Sequence, residues 1–214
     1  MFKEVKHYCQ ERNVELVVVS KTRPIRRILE LYNEGHRIFG ENRVQELQQK
    51  YESMPKDIQW HMIGHLQSNK VKYIAPFVQM IHSGASLSLL KEINKRAKNN
   101  NRVIDVLLQV KIGQEDAKTG WSDEELHRVL EDETIQSFEN IRVRGVMGMA
   151  TFTNDKSVVR FEFQHLKSIY DQLKESFYKD RDNFDTISMG MSGDYKIAIE
   201  EGSTMVRVGS LIFQ

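Results

Sequence analysis

Short apolar runs alternate along this chain with longer stretches whose apolar residues recur at helical spacing. The run Leu16-Val17-Val18-Val19 is apolar at four consecutive positions, three of them valine. That is the pattern of a strand buried on both faces, as in a parallel sheet. It predicts a first strand over 15–20, and comparable runs predict seven more over 36–40, 60–64, 78–82, 103–111, 143–149, 184–188 and 205–208. A helical start over 1–12 precedes them. Pro24, suited to a first helical turn, and Gly35, just past an end, bracket a helix running to Asn33. Further helices are predicted over 42–51, 68–75, 86–98, 122–131, 156–178 and 194–201.

Eight strands alternating with helices require parallel pairing through right-handed crossovers. Eight such units close into an α/β fold of the (β/α)8, TIM-barrel type. A doubly wound open sheet is the rival, but it usually needs fewer strands for this length. Such barrels take roughly 200–250 residues. A chain of 214 residues is therefore read as one domain over 1–214, with no room for a second.

Composition changes this picture little. With 40% hydrophobic and 29% charged residues the balance is that of a globular domain, and a net charge of +1 supplies no field for nucleic acid or an anionic membrane. The lone cysteine, Cys9, excludes a disulfide framework and a cysteine-rich metal site. No apolar stretch approaches membrane-spanning length, and Met1-Phe2-Lys3-Glu4-Val5-Lys6 is too charged for a signal peptide. A reduced, cytoplasmic setting is expected.

Barrels carry their chemistry where the strands end. The first strand delivers Lys21, which its apolar surroundings are expected to half-desolvate. Burial disfavours the ammonium form and lowers the pKa, as a Schiff-base lysine requires. The alternative is a surface lysine closing a strand. Ser192-Gly193, ahead of a helix, and Gly209-Ser210, after the last strand, have the composition of a phosphate cradle. Glycine admits an anion close to the backbone, and free N–H groups at a helix start point at it. Each pair alone is equally a plain turn. Together, at adjacent strand ends and opposite Lys21, they favour the cradle. In Met205-Val206-Arg207-Val208, alternation puts Arg207 on the inward face. There it needs an acceptor, either an aromatic nitrogen of a ligand or a buried carboxylate.

Other candidates carry less. Gln109 and Lys111 fit one polar set of a half-exposed strand, and Lys118-Thr119-Gly120 a surface turn. His61, His65 and His82 come from separate strand ends, but no acidic ligand joins them at recognisable zinc spacing; His65 could line a pocket. Met189 and Met191 are read as packing.

Five blocks occur here in a characteristic order: Val18-Val19-Ser20-Lys21-Thr22; Phe39-Gly40-Glu41-Asn42; Trp60-His61-Met62-Ile63-Gly64-His65-Leu66-Gln67-Ser68-Asn69-Lys70; Met189-Gly190-Met191-Ser192; and Gly202-Ser203-Thr204-Met205-Val206-Arg207-Val208-Gly209. Over essentially its full length the chain resembles the pyridoxal phosphate homeostasis family, which has an alanine-racemase-like barrel. The resemblance implies a fold-type III pyridoxal-phosphate barrel without the C-terminal β domain of the racemases. It implies that Lys21 holds pyridoxal 5′-phosphate as an internal aldimine and that Arg207 faces the pyridine nitrogen. Ser192, Gly193, Gly209 and Ser210 match phosphate-binding positions, and Asn42 matches a residue near the ring. The residue types suit that cofactor, which needs an amine, an anion cradle and a partner for its nitrogen. An arginine partner discourages ring protonation and weakens the electron sink, which favours holding the cofactor over exploiting it.

The implied function is cofactor binding and homeostasis without robust catalysis, with apo-forms of pyridoxal-phosphate enzymes as recipients and a monomeric state. A racemase-like enzyme is the first alternative, although racemases of this fold draw a tyrosine from an additional domain of a partner subunit. A cofactor-free Schiff-base aldolase acting on a sugar phosphate is the second. Two departures stand out. The family pattern commonly continues with a glycine where the sequence has Gln214, which is expected to loosen the closing seam. Ser83-Gly84-Ala85-Ser86 replaces an expected aliphatic residue and aspartate, which is expected to alter one pocket wall.

Overall fold

The computed structural model describes residues 1–113, 119–132 and 134–214. Eight parallel strands close into a barrel in sequence order: β1 (Glu15–Val19), β2 (Ile38–Glu41), β3 (Gln59–Met62), β4 (Met80–Gly84), β5 (Ile104–Gln109), β6 (Ile141–Met147), β7 (Thr186–Ser188) and β8 (Met205–Val208). Helix α1 (Phe2–Gln10) precedes β1. Strands β1 to β7 are followed in turn by α2 (Ile25–Asn33), α3 (Val44–Ser53), α4 (Val71–Ile74), α5 (Leu87–Asn99), α6 (Asp123–Glu131), α7 (Lys156–Phe177) and α8 (Tyr195–Glu200), and a 3-10 turn at Ser68–Lys70 leads into α4. Among the described residues no helix is long and apolar enough to cross a membrane.

Alternation along the strands builds two cores. Outward residues such as Val18, Phe39, Trp60, Ile81, Val106, Val206 and Val208 join the apolar faces of the helices in one large cluster. Inward residues Val17, Met80, Leu107, Met147 and Met205 form a smaller cluster that plugs the barrel. The seam is intact: β1 pairs with β8 from Glu15 opposite Met205 through Val18 opposite Val208, so the expected loosening is not found.

Local chemistry sets the ends. Ser122 and Glu125 cap α6 reciprocally, and Ser86 caps α5 by accepting from the Leu89 N–H at 3.3 Å. Gly145 in β6 has φ +150, and a Cβ there would collide with the Thr186 carbonyl, so only glycine lets β7 pair so closely.

Strand boundaries shift by about two residues in places. β4 lies two residues later than predicted, which puts Ser83 and Gly84 inside the strand; Ser83 is buried and Trp121 Nε1 donates to the Gly84 carbonyl at 2.7 Å. The departure at 83–86 therefore sits in a strand and a helix cap. β7 starts only at Thr186, because Phe184 leaves the sheet line to stack on Tyr178 (centroids 4.2 Å apart) and Tyr170 (5.1 Å apart). β5 is buried at every residue, which overturns the half-exposed reading of its polar set; Gln109 Nε2 donates to the Thr119 carbonyl at 2.7 Å, while Lys111 lies exposed past the strand. Thr119 is exposed and Gly120 turns with φ +144, whereas Lys118 lies outside the described residues.

At the N-terminal end of the barrel Asp105 accepts from Arg142 Nε at 2.6 Å and from Arg144 Nη1 at 3.0 Å, and Arg144 Nη2 reaches Asp185 at 2.9 Å. This ion network closes the end opposite the strand termini that carry the candidate site.

Candidate functional site

Lys21, Asn42, Ser192, Gly209 and Ser210 all lie just past strand ends at the C-terminal mouth, and Arg207 lies below them on β8. Ser192 Oγ accepts from the Gly209 N–H at 3.2 Å and the Leu211 N–H at 3.3 Å. The turn after β8 thus aims two backbone donors at one point, the makings of an anion nest. Gly209 is buried, and a Cβ there would lie 2.7 Å from the Val19 carbonyl. The cradle therefore rests directly on the end of β1, two residues before Lys21. Ser210 is exposed beside it.

Gly193 is different. It is exposed, and an added Cβ would meet nothing within 4 Å, so no lack of space demands glycine. Helix α8 has only six residues, and its N-cap, Asp194, accepts from the Met191 N–H at 2.5 Å. Desolvation raises the Asp194 pKa, with Arg207 pulling the other way. The expected helix-start donors thus contribute less here than the turn after β8.

Arg207 pairs in register with Val17 of the inner cluster, so it faces the barrel interior, and it is 4% exposed. Its guanidinium donates to Ser188 Oγ at 2.5 Å and to the Gly148 carbonyl at 3.0 Å. Beyond it runs a buried polar chain: His82 Nδ1 lies 3.0 Å from Ser188 Oγ, and His82 Nε2 lies 3.0 Å from His61 Nδ1. Burial pulls the His61 pKa down to about 3 and holds His82 well below its ordinary value, so both rings are neutral at physiological pH. One consistent proton order has Arg207 donating to Ser188, Ser188 to His82 Nδ1, and His82 Nε2–H to His61. Burial also draws Arg207 down to about 10, still cationic at neutral pH.

Lys21 does not have the expected setting. β1 ends at Val19, Ser20 is fully buried, and Lys21 is exposed on a turn with Thr22 in the left-handed region at φ +61. The chain leaves the sheet with the last valine of the apolar run, one residue before the predicted end of the strand. Asn42 is half-buried one residue past β2, with its backbone against Gly64, where any Cβ would collide.

The profile of the family described as alanine racemase, N-terminal domain, matches residues 2–214. The pyridoxal phosphate homeostasis protein of Aquifex aeolicus is 42% identical over 204 residues, covering 95% of this chain and 87% of that protein. This chain belongs to the pyridoxal phosphate homeostasis family. Its relative in Schizosaccharomyces pombe is 36% identical over 98% of this chain and 87% of its own length. PipY of Synechococcus elongatus, solved with pyridoxal phosphate bound, superposes with a TM-score of 0.84 at 30% identity, covering 94% of this chain and 93% of that one. An alanine racemase of Clostridium difficile shares the fold at a TM-score of 0.77 and 15% identity, covering 96% of this chain and 57% of the racemase.

In this member of the family Lys21, Asn42, Ser192, Gly209 and Ser210 lie past strand ends at one mouth with Arg207 beneath them, while Gly193 stands exposed to one side. The structure also adds Ser188, His82 and His61 beneath Arg207. In the sequence His61 and His82 stand out only as zinc-ligand candidates, and among the described residues no group of three or more His, Cys, Asp or Glu is arranged for a metal. His65 is exposed, Met189 is buried and Met191 is 37% exposed. A second addition is an ion cluster under the Lys21 turn, with Glu41 and Lys50 buried and Glu46 partly exposed. Its sequence signal is a glutamate at the end of a buried strand, followed by Glu46 and Lys50 at i,i+4 spacing on the next helix.

Proposed function

We propose that this chain binds pyridoxal 5′-phosphate covalently through Lys21 and serves its intracellular homeostasis, without robust catalysis. What carries the reading is the meeting, at one barrel mouth, of an exposed lysine amine, two converging backbone N–H donors and an arginine that has no carboxylate partner among the described residues.

The residues fit the group. The turn 209–211 carries two N–H donors converging on Ser192 Oγ, which would pass to a phosphate once that hydroxyl swings aside, and Gly209 lets the turn pack directly on the Val19 carbonyl. Arginine has five N–H donors, and among the described residues Arg207 gives two hydrogen bonds, leaving capacity for an aromatic nitrogen. When bound, pyridoxal phosphate supplies an aldehyde that condenses with amines and a ring able to take up electrons. Lys21 supplies the amine. Arg207 keeps its proton at neutral pH and so opposes protonation of the ring nitrogen. Asn42, Ser192 and Ser210 line the same mouth, and Gly193 contributes backbone only. PipY supports the reading as a relative solved with this cofactor, and the relatives named for homeostasis support a carrier role. Recipient apoenzymes, a cytoplasmic setting and a monomeric carrier complete the proposal. The racemase alternative rests on a likeness of fold alone.

The test is an absorbance spectrum after adding pyridoxal phosphate and desalting, beside Lys21→Ala. The expected result is a visible band, bleached by borohydride with a mass increase at Lys21, and absent in the variant. No band in the unaltered protein overturns the reading. Turnover of either alanine enantiomer, lost in Lys21→Ala, would replace carrier with enzyme.

A further inference from the structure

Lys21 lies between two tied residues. On one side, the Ser20 carbonyl accepts from Lys50 Nζ at 2.7 Å and from the Arg23 N–H at 3.0 Å, and Ser20 Oγ donates to Glu41 Oε1 at 2.6 Å. On the other, the Thr22 N–H donates to Glu46 Oε1 at 2.6 Å. Lys50 joins the two sides: its ammonium also donates to Glu41 Oε1 at 2.7 Å and Glu46 Oε1 at 2.6 Å. With the Ser20 carbonyl that makes three acceptors for three N–H donors, so Lys50 has none left for a ligand. It is 5% exposed and Glu41 is fully buried.

Such a cluster is poorly explained by stability alone. Buried ion pairs gain little over well-packed apolar residues of similar volume, and their best-attested use is to fix a register. What is fixed here is the backbone around Lys21. Thr22 adopts a left-handed conformation that a β-branched residue rarely takes without compensation. In that conformation its amide meets a carboxylate. The outer side of the turn borders an open groove lined by Thr22, Arg23, Arg43, Glu46 and Lys50 rather than a packed layer.

We propose that Glu46 and Lys50 are positioning residues for Lys21, holding the Ser20–Thr22 turn so that the Lys21 amine is presented at the barrel mouth for pyridoxal phosphate. The inference rests on the cofactor reading above. Lys21 is exposed, so packing does not aim it; the backbone on either side does. Glu41 anchors the cluster from β2 by accepting from Ser20 and Lys50 on one oxygen.

The test compares Glu46→Ala, Glu46→Gln and Lys50→Met with the unaltered protein. Glu46 is partly exposed, so its variants are expected to fold. Three quantities are read: the rate at which the cofactor band appears, the exchange of the Thr22 amide in cofactor-free protein, and the melting temperature. Glu46→Ala is expected to slow capture about tenfold, the worth of one hydrogen bond to a charged group, with loss of Thr22 protection and little change in melting. Glu46→Gln keeps an acceptor for the Thr22 N–H and should restore both readouts to within about threefold. Lys50→Met should resemble Glu46→Ala or exceed it. Capture at the unaltered rate in Glu46→Ala, with Thr22 still protected, overturns the proposal, as does a loss that merely follows the melting temperature. A band absent from the unaltered protein would instead sink the cofactor reading; Thr22 exchange in cofactor-free protein would still decide whether Glu46 holds the turn.

Discussion

The barrel carries arginines at both ends, in opposite circumstances. At the N-terminal end Arg142 and Arg144 share Asp105, and Arg144 continues to Asp185, so carboxylates answer each guanidinium. At the C-terminal end Arg207 is more deeply buried, yet its hydrogen bonds go to a serine hydroxyl and a backbone carbonyl, neither of them charged. The carboxylate of Asp194 supports its charge, with no direct ion pair between them among the described residues. An arginine answered by carboxylates closes a structure. A buried arginine answered only by neutral groups is a cost that folding alone does not explain. The same residue type thus marks a seal at one end and a site at the other.

Asp105→Ala should give the largest effect. It strips both N-terminal arginines of their shared partner and should cost about 2–3 kcal/mol in urea denaturation, less than a fully buried pair because Arg142 and Arg144 retain 44% and 25% exposure. Cofactor capture by the folded fraction should not change; if it fell equally, the two ends would not be separable. Arg207→Met should do the reverse. Cofactor affinity should drop about 30-fold, or about 2 kcal/mol, by equilibrium titration, with the urea midpoint unchanged or raised. A smaller loss, roughly tenfold in affinity, is expected for Gly209→Ala, whose Cβ would press on the Val19 carbonyl, whereas Gly193→Ala should be silent. The smallest effect is the pH dependence of stability. His36 and His61 have folded values lowered by burial to about 4 and about 3, below an unfolded value near 6.5. Below pH 6.5 the unfolded chain takes up protons that the fold refuses, so each should cost about 1 kcal/mol over the first pH unit. Glu15, Glu41 and Asp194, whose values burial raises, bind protons in the fold first and oppose this trend toward acid pH. Melting curves from pH 7 to 5 should therefore slope down, and His61→Gln should flatten them.

The architecture was legible because each strand announces itself by local composition. Four apolar residues in a row need a two-sided burial that only a parallel sheet between layers provides. The inward aim of Arg207 followed from period-two alternation alone. What failed was the setting of Lys21: apolarity to Val19 tells where a strand is buried, but not that the chain turns outward at Ser20. The Glu41, Glu46 and Lys50 cluster went unread for another reason. Its members belong to a strand end and a helix face, and only the packing of α3 against β2 and β3, beside the turn that follows β1, makes them neighbours of Lys21. The histidine chain is half-legible, since His61 and His82 stand out in the sequence only with His65, as possible zinc ligands from separate strand ends. Ser188, the hydroxyl that links them to Arg207, carries no signal of its own in a short strand.

The pairing of β1 with β8 has a consequence for how the protein is made. Glu15 finds its partner Met205 only after about 190 further residues have been synthesised, roughly 10–40 s at ordinary ribosomal rates. Through that interval the valine-rich first strand has one bare edge, of the kind that recruits other chains. The nascent barrel must therefore wait as an open curved sheet. Its yield in a cell should depend on chaperone supply and translation speed more than its finished stability would suggest.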